Sequence, residues 1–518
     1  MGPADWTAGY RADVNYVFGY YPELNPLRTR LALLNKGFAP PNIASACELG
    51  FGQGLSVNIH AAASETAWWG NDFNPSQAAF AQDVAAASKS GAILTEDSFR
   101  DFLERPDLPH FDFVGLHGIW SWISDANRSV IVDLLRTRLK PGGVLYISYN
   151  TAPGWSPIVP LRRLLSEHAE TATPRGADVL ERVGAAVEFA ERLFATEPTY
   201  LKANPQLSER LQKLKAQDRH YLAHEYFNQH WQPMPVLDVA EWLSAAKLSF
   251  ACSAHLLDHV DGVNLTAPQQ AFMNDVNEPI FREFVRDLMV NQQFRRDYWV
   301  KGARRLEPFE RAEALRAERF ILATTRSAVS LKAVGSLGEA DLHAEVYDPI
   351  LDLLADHKPH SIGEIADKLP AGQAGLPQVV EAMVVLTSSS QVMPVQMESA
   401  TRVSRAQTDR FNTYMEHRAR FSGEAAFLAS PVTGGGVGVS RFEQLFLGAI
   451  AEGRKTPAEW AQVAWDVIAS QGQKIVKDGQ TLDSKEENLA ELGRQADLFA
   501  NGRLGMLTAL GIAAASRK

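Results

Sequence analysis

Cysteine is almost absent from this chain of 518 residues, which contains only Cys47 and Cys252. Two cysteines in separate apolar stretches exclude a disulfide scaffold and a cysteine-rich metal site, and they are typical of a reducing compartment. No apolar run reaches the ~20 residues that a membrane-spanning helix needs. The opening residues lack the basic region and apolar core of a secretory signal, so we expect a cytoplasmic protein without a membrane span.

Excess positive charge is also missing, since 51 Lys and Arg stand against 61 Asp and Glu and the formal net charge is −10. A dedicated binder of bulk nucleic acid needs a concentrated basic face, so no nucleic-acid partner is predicted. The content of 46% hydrophobic and 22% charged residues describes a globular protein with sizeable cores. At ~100–200 residues per domain, the length predicts three or four domains.

Short apolar runs alternate with amphipathic stretches between about residues 28 and 150. Five strands are predicted at "SACELG", "AWWGNDF", "GAILTED", "FDFVGLHG" and "VLYISYN". The clearest helices between them are "LSVNIHAAAS", "PSQAAFAQDVAAAS" and "ANRSVIVDLLRTRL". Such alternation predicts an α/β fold, with a Rossmann-like parallel sheet covered by helices on both faces.

The remaining sequence predicts accessory units. Residues 161–217 form a charged helical insertion into a core of residues 1–160 and 218–330, whose last strand lies in "DYWVKG" or "RFILATT". Residues 331–400 contain three short helices and a strand, which is a winged-helix-like order. Residues 401–518 form a mostly helical C-terminal domain, in which Ser440 and Glu443 make a capping box. We interpret the preceding "TGGGVGVS" as a loop.

The stretch "ACELGFGQGLSVNIH" places Gly50, Gly52 and Gly54 directly after the first strand. Glycines in that position let the backbone approach a ligand closely, because no Cβ intervenes. The spacing matches neither the G-x-G-x-x-G fingerprint of dinucleotide sites nor the Gly-Lys-Ser/Thr ending of a P-loop. A different adenosine cofactor and a tight structural turn both remain compatible with the loop.

Polar residues at the ends of the next strands favour the cofactor. Asp72 closes the second strand, where a carboxylate can accept hydrogen bonds from both ribose hydroxyls. Asp97 and Ser98 end the third strand, in a position suited to the adenine amino group and ring edge. Taken singly, either acid could be a solvated loop residue or a helix cap. The ordered set, in register with five strands, favours a cofactor site.

With these residues the chain resembles the class I S-adenosylmethionine-dependent methyltransferases, up to about residue 260. The stretches "FVGLHGIWSWI", "YISYNTAPGW", "HYLAHEYFNQHWQPM" and "RDLMVNQQFRRDYWVKGARRL" are similar to bacterial members that carry a methyltransferase regulatory domain. That family includes the rickettsial protein-lysine methyltransferases. The resemblance implies S-adenosyl-L-methionine (AdoMet) as cofactor and no metal. It implies cofactor contacts at Glu48, Gly50, Gly52, Gly54, Asp72, Phe73, Asp97, Ser98 and His117.

Aromatic and polar residues at the ends of the fourth and fifth strands predict the acceptor site. These candidate catalytic residues are His117, Trp120, Trp122, Tyr149 and Asn150. Ring faces attract an ammonium group, and apolar walls favour the lysine stem and lower the amine pKa by desolvation. The alternatives are that the tryptophans only pack a helix onto the sheet and that His117 only holds its loop. An N-terminal flap or staple is predicted at Tyr16, Phe18, Tyr20 and Tyr21.

The sequence therefore predicts methyl transfer from AdoMet to an acceptor, foremost a lysine amine of a protein. One alternative is O- or N-methylation of a small molecule or glycan with His117 as general base. Another is a non-catalytic AdoMet-binding or regulatory interaction protein. A DNA reader is disfavoured, because the predicted groove helix at 377–386 carries Glu381 and neither Lys nor Arg. The oligomeric state stays open.

Overall fold

Strands and helices alternate through the first 150 residues, as the sequence pattern predicts. The computed structural model describes residues 9, 17–174, 176–370, 372 and 374–513, so Tyr16 of the predicted flap lies outside the described residues. The elements are a 3-10 turn at Pro22–Leu24, α1 Pro26–Asn35, β1 Ser45–Leu49, α2 Leu55–Ala63, β2 Ala67–Asn71, α3 Pro75–Ser88, β3 Ile93–Thr95, α4 Phe99–Glu104, β4 Phe111–Leu116, a 3-10 turn at Trp120–Trp122, α5 Asp125–Arg138 and β5 Leu139–Asn150.

Helices then interrupt the sheet before its last two strands. The inserted elements are a 3-10 turn at Ser156–Ile158, α6 Val159–Thr171, α7 Val179–Phe194, α8 Thr199–Ala203, α9 Gln206–Ala216 and α10 Arg219–Tyr226. The sheet unit is completed by α11 Val236–Ser244, β6 Leu248–Ser253, a 3-10 turn at Leu256–His259, α12 Asp261–Asn264, α13 Ala267–Asn274, α14 Pro279–Val290, β7 Phe294–Lys301 and α15 Pro308–Ala317.

Seven strands form one sheet in the order β3-β2-β1-β4-β5-β7-β6. Strand β7 pairs antiparallel with β5 and β6, whereas the other pairs are parallel. The predicted α/β fold with a mainly parallel sheet is confirmed, and "DYWVKG" supplies the last strand. The strand order reverses between β1 and β4, which opens a crevice at the carboxyl ends of these strands.

A second unit packs beside this sheet. Its elements are β8 Arg319–Leu322, a 3-10 turn at Arg326–Ala328, β9 Lys332–Gly335, β10 Gly338–Asp341, α16 Ala344–Leu354, β11 His360–Ser361, α17 Ile362–Lys368, α18 Leu376–Ser388 and β12 Val392–Pro394. Strand β8 lies between β11 and β12 in a three-stranded sheet, so the unit includes a strand that precedes the predicted boundary at residue 331. Most residues of α18, the predicted groove helix, are buried, whereas Pro377, Gln378 and Glu381 are exposed.

The C-terminal unit is mostly helical, with two small hairpins. It comprises α19 Glu398–Ala419, β13 Phe427–Ser430, β14 Gly435–Gly438, α20 Arg441–Ala451, α21 Pro457–Ser470, β15 Val476–Lys477, β16 Gln480–Thr481, α22 Lys485–Leu498, a π-turn at Phe499–Arg503 and α23 Leu504–Ala509. The capping box of Ser440 and Glu443 is present at the start of α20. The glycine run predicted as a loop is instead largely strand β14, because its small residues pack under the ring of Tyr20.

The C-terminal unit is fastened to the two helices that follow β1 and β2. Thr408 donates its hydroxyl to the carbonyl of Ala62 at 2.7 Å, and Arg410 Nε donates to the carbonyl of Ser88 at 2.8 Å. Helix α19 thus contacts α2 and α3 at their C-terminal ends. Within the described residues, none of the helices combines the length and apolar character that crossing a membrane requires.

Candidate functional site

A cavity lies at the carboxyl ends of β1, β2 and β4, where the strand order reverses. We call it the loop cavity. It is lined by Tyr21, Gly50, Phe51, Gly52, Asn71, Asp72, Phe73, Asn74, Gln77, Ser98, Phe99, His117, Gly118, Ile119, Trp122, Ile123 and Asn127. Seven of the residues predicted from the sequence are among them, namely Gly50, Gly52, Asp72, Phe73, Ser98, His117 and Trp122.

The glycine loop needs glycine at each of its three positions. Gly50, Gly52 and Gly54 have φ values of 65°, 59° and 68°, in the left-handed region that other residues rarely adopt. A Cβ at Gly50 would lie 2.6 Å from Cδ1 of Ile119, which forms the facing wall. The loop is anchored by the N–H of Gly50, which donates to the carbonyl of Asn71 at 2.8 Å. The backbone therefore forms the cavity wall directly.

Asp72 is held rigidly by the loop it faces. Its Oδ2 accepts the N–H of Gly52 at 2.8 Å, and its Oδ1 accepts the N–H of Asn74 at 3.0 Å. Each carboxylate oxygen can accept a further hydrogen bond. Burial raises the pKa of Asp72 to about 6, although these two N–H donors act in the opposite direction. The site therefore presents a fixed carboxylate whose charged form further hydrogen-bond donors would stabilise.

Glu48 lies behind the loop cavity and is fully buried at the end of β1. Burial, and then the charge of Asp72, raises the pKa of Glu48 to about 8. Its Oε2 has no hydrogen-bond partner among the residues that the structure describes. Gly54 also lies behind the cavity, at the start of α2, where a Cβ would lie 2.5 Å from the Cβ of Ala81.

Asp97 does not bring its carboxylate into the loop cavity. The carboxylate forms an ion pair with Arg105 at 3.2 Å, and the backbone carbonyl of Asp97 accepts Asn71 Nδ2 at 2.9 Å. The next residue, Ser98, does line the cavity, but its hydroxyl accepts the N–H of Asp101 at 3.2 Å and so caps α4. The predicted adenine contact through the Asp97 side chain is replaced by a salt bridge in this structure.

His117 ends β4 inside the cavity, with its ring between two tyrosines. The ring of Tyr21 stacks on it at a centroid distance of 3.5 Å, and its Nδ1 lies 2.8 Å from the hydroxyl of Tyr146. Burial lowers the pKa of His117 to about 4, against the opposing charge of Glu23. The imidazole is therefore neutral at physiological pH and can accept a proton.

The two tryptophans after β4 have different environments. Trp122 lines the loop cavity. Trp120 is fully buried, and its Nε1 donates to Met234 Sδ at 3.3 Å while its ring meets Trp242 edge-on. For Trp120 the structure supports the alternative of simple packing.

The two candidates on β5 also lie outside the cavity. Tyr149 is buried and donates its hydroxyl to Asp297 Oδ2 at 2.8 Å. Asn150 donates its backbone N–H to Ser121 Oγ at 2.9 Å, and its Nδ2 has no partner within the described part of the chain. Strand β7 pairs with β5, and its Asp297 binds the hydroxyl of Tyr149. Fewer of the predicted acceptor-site residues therefore line the cavity than the sequence suggests.

Sequence reasoning missed several lining residues, among them Asn71, Phe99 and Ile119. All three directly adjoin or closely follow predicted site residues, so their position after the same strands was the available signal. It also missed Glu23, which is buried behind His117 and pairs with Arg296 at 2.8 Å. No local motif marks Glu23, because Arg296 lies far along the chain.

The C-terminal unit reaches the loop cavity through residues 17–25, which we call the N-terminal segment. The ring of Tyr20 packs on Gly436, where an added Cβ would lie 2.9 Å from it, and lies 5.4 Å from the ring of Phe427. Asn25 Nδ2 donates to the carbonyl of Thr433 at 3.2 Å. The hairpin of β13 and β14 thus holds the segment whose Tyr21 covers His117.

Known sequences match this chain over its whole length or over parts of it. The model of the predicted methyltransferase regulatory domain matches residues 218–301. The uncharacterized protein sll1526 of Synechocystis is 40% identical over 512 residues, which cover 98% of this chain and 99% of that protein. The uncharacterized protein RP028 of Rickettsia prowazekii is 30% identical over 139 residues, covering 26% of this chain and 55% of that protein.

Comparison with solved structures gives a full-length match in fold. The structure of PKMT2 from Rickettsia typhi in complex with AdoHcy superimposes with a TM-score of 0.67 at 17% identity. The match covers 94% of this chain and 99% of that one. The arrangement of all three units is therefore shared, beyond the sheet alone.

Proposed function

We propose that this protein, which belongs to the family of class I methyltransferase-fold proteins with a methyltransferase regulatory domain, transfers a methyl group from AdoMet to a lysine amine of a protein. The observation that carries the proposal is the fixed carboxylate of Asp72 facing the left-handed glycine loop in one cavity. The cofactor seen in the rickettsial PKMT2 structure, AdoHcy, supports the same ligand class for this fold.

The residues of the loop cavity fit AdoMet. Asp72 offers two oxygens to the vicinal ribose hydroxyls, and Phe73, Phe99 and Ile119 supply apolar walls for the adenine ring. The Oε2 atom of Glu48 has no hydrogen-bond partner among the described residues. Glu48 can therefore ionise when the cationic amino group of AdoMet lies next to it. When bound, AdoMet would supply the methyl group of its sulfonium to a neutral nucleophile, with the thioether AdoHcy as the leaving group.

The chain's own contribution to the transfer is positioning and exclusion of water. Trp122, Tyr21 and His117 form a largely apolar wall on the side of β4. In such surroundings the pKa of a lysine amine falls below its ordinary ~10.4, so the neutral nucleophile becomes accessible. The ring of Trp122 can also hold the ammonium form before it loses its proton.

The accessory units support a protein acceptor. A small acceptor needs no more than the sheet unit, whereas this chain adds the helical insertion and everything after residue 318. We include in the proposal that residues 319–394 form a winged-helix-like module for protein contacts. The exposed face of α18 carries Gln378 and Glu381 and no cation, which argues against a DNA-reading role.

A hydroxyl acceptor on a small molecule or glycan is the second candidate, and His117 favours it. Its imidazole is neutral, lines the cavity and is oriented by the hydroxyl of Tyr146 at 2.8 Å. A neutral imidazole can take the proton of a hydroxyl nucleophile as a general base. An amine acceptor does not require that base.

Transfer of labelled methyl groups separates the two candidates. Purified protein is incubated with methyl-labelled AdoMet and a fractionated cell lysate, with the Asp72→Asn variant as the matched control. Label in protein that survives mild base supports amine methylation, and mass spectrometry then locates the lysine. Label in small molecules or glycan, lost in His117→Ala, supports the hydroxyl acceptor. Failure of AdoMet to bind in calorimetry would overturn the proposal as a whole.

A further inference from the structure

A second cavity, of about 270 Å³, lies beside β6 and β7 in the region that matches the regulatory domain. It is bounded by the end of α1, the turn at Leu256–His259, α14 and the start of β7. Six cationic side chains line it, namely Lys36, Arg282, Arg286, Arg295, Arg296 and Arg305. We call it the arginine cavity.

Three of these cations are paired with carboxylates. Arg286 lies 3.6 Å from Asp258, and Arg296 lies 2.8 Å from Glu23. Arg295 is held by three carboxylates, those of Glu283, Asp287 and Asp297, at 2.9, 2.6 and 2.9 Å. The first two pairs are neutral, whereas the three carboxylates around Arg295 exceed its single charge. Burial offsets part of that excess, because it raises the pKa of Asp287 to about 7 and also raises the pKa of Asp297.

The other three cations, Lys36, Arg282 and Arg305, have no carboxylate within ion-pair distance among the residues described. They come from three separate elements: the end of α1, α14 and the segment after β7. The guanidinium of Arg305 stacks on Phe38 at 3.9 Å and donates to the carbonyl of Lys36 at 3.1 Å, so its position is fixed. Of the carboxylates that line the cavity, Asp261 alone lacks an ion pair within the described chain.

We propose that the arginine cavity is a binding site for a small phosphate-bearing ligand. Unpaired cations in a concave site focus a positive potential, which attracts an anion. A tetrahedral phosphate presents oxygens in several directions and so can meet cations from three elements, whereas a planar carboxylate presents its two oxygens in one plane. A cavity of about 270 Å³ has room for a small free phosphate compound.

The site is connected to the loop cavity through one ion pair. Arg296 lines the arginine cavity, and its guanidinium holds Glu23 at 2.8 Å. Glu23 belongs to the N-terminal segment, two residues from Tyr21, whose ring stacks on His117. A phosphate that draws Arg296 toward itself competes with Glu23 for the guanidinium. Ligand binding in one cavity therefore alters a wall of the other.

Calorimetry with pyrophosphate and citrate tests the site. The double variant Lys36→Ala/Arg282→Ala is compared with Arg100→Ala/Lys213→Ala, which removes the same charge from exposed helix surfaces outside the cavity. We expect the first variant to weaken pyrophosphate binding at least about tenfold and the control to stay within about twofold. Equal losses in both variants, no binding to the natural protein, or tighter binding of citrate would overturn the assignment. Matching thermal unfolding of the variants shows that the fold is retained.

The connection is tested by measuring AdoMet affinity with and without saturating pyrophosphate, and this arm rests on the proposed function. We expect a change of at least about threefold in the natural protein and none in Glu23→Gln or Arg296→Lys. An unchanged AdoMet affinity in the natural protein would overturn the connection. Absence of AdoMet binding would overturn the proposed function. Pyrophosphate binding tests the phosphate site in the arginine cavity independently of that function.

Discussion

The loop cavity and the arginine cavity both lie toward the carboxyl edge of the seven-stranded sheet, yet they are built from different materials. The loop cavity uses backbone groups of the left-handed glycines Gly50 and Gly52, apolar walls and one central carboxylate, Asp72. The arginine cavity uses long charged side chains on the antiparallel edge, around β6 and β7. The first recognises shape and hydroxyl groups, and the second attracts charge. The proposed methyl-transfer site and the proposed phosphate site thus lie at different strands of one sheet.

Removal of the Asp72 carboxylate should have the largest effect and should be confined to one cavity. Asp72→Ala loses two hydrogen bonds from a charged acceptor, each of about 1.5–3 kcal/mol, so AdoMet affinity should fall at least about 100-fold. Pyrophosphate affinity should not change. Calorimetry with both ligands measures this, and Asp97→Asn, which lies outside the cavity, is the control. Unchanged AdoMet affinity in Asp72→Ala would place the ribose contact elsewhere.

Gly436→Ala tests the support of the N-terminal segment, whose Tyr21 lines the loop cavity and whose Glu23 pairs with Arg296 of the arginine cavity. The added Cβ would lie 2.9 Å from the ring of Tyr20, so we expect the free energy of unfolding to fall by about 1–3 kcal/mol. AdoMet affinity should fall as well, because Tyr21 moves with Tyr20. Chemical denaturation gives the first value. In the control Gly448→Ala the new methyl group meets open space within a helix, and stability should rise slightly.

Lowering the pH should weaken AdoMet binding most steeply below about pH 6, where Asp72 becomes protonated. The pKa of this carboxyl is raised to about 6, so its protonated fraction grows as the pH falls through that value. A protonated carboxyl loses acceptor capacity, so affinity should fall by about tenfold per unit below pH 6. Calorimetry between pH 5 and 8 measures the profile. A slope that persists in Asp72→Asn would assign it to another group.

Added salt should have the smallest effect and should distinguish the cavities by charge. Pyrophosphate affinity should fall about threefold when potassium chloride is raised from about 0.05 to 0.3 M, because screening weakens attraction to Lys36 and Arg282. AdoMet affinity should change less than twofold, since its site relies on hydrogen bonds and apolar walls. Equal salt dependence for the two ligands would contradict the contrast between the cavities.

Local chemistry made much of the fold predictable. The run "PSQAAFAQDVAAAS" has the same limits as α3, because Asn74 caps the helix and Pro75 occupies its first position. The glycine loop is equally local, since its three glycines and the strand before them lie within ten residues. Both depend on backbone preferences that a short stretch of sequence carries.

The direction of individual side chains was not predictable in the same way. Trp120 and Trp122 lie on one 3-10 turn, and only distant Met234 and Trp242 decide that Trp120 points inward. Asp97 is drawn out of the cavity by Arg105, eight residues later. The arginine cavity combines positions from 36 to 305, so no stretch of sequence reveals it.

The seat of Tyr20 has a consequence for how the protein is made. Domains fold largely in the order in which the ribosome releases them, with the N-terminal part first. The N-terminal segment, however, packs on Phe427 and Gly436, which leave the ribosome long after it. A nascent chain can close its sheet early, but the wall formed by Tyr21 is completed only after the C-terminal hairpin has emerged. Translation products that stop before this hairpin therefore carry an unfinished wall at the loop cavity.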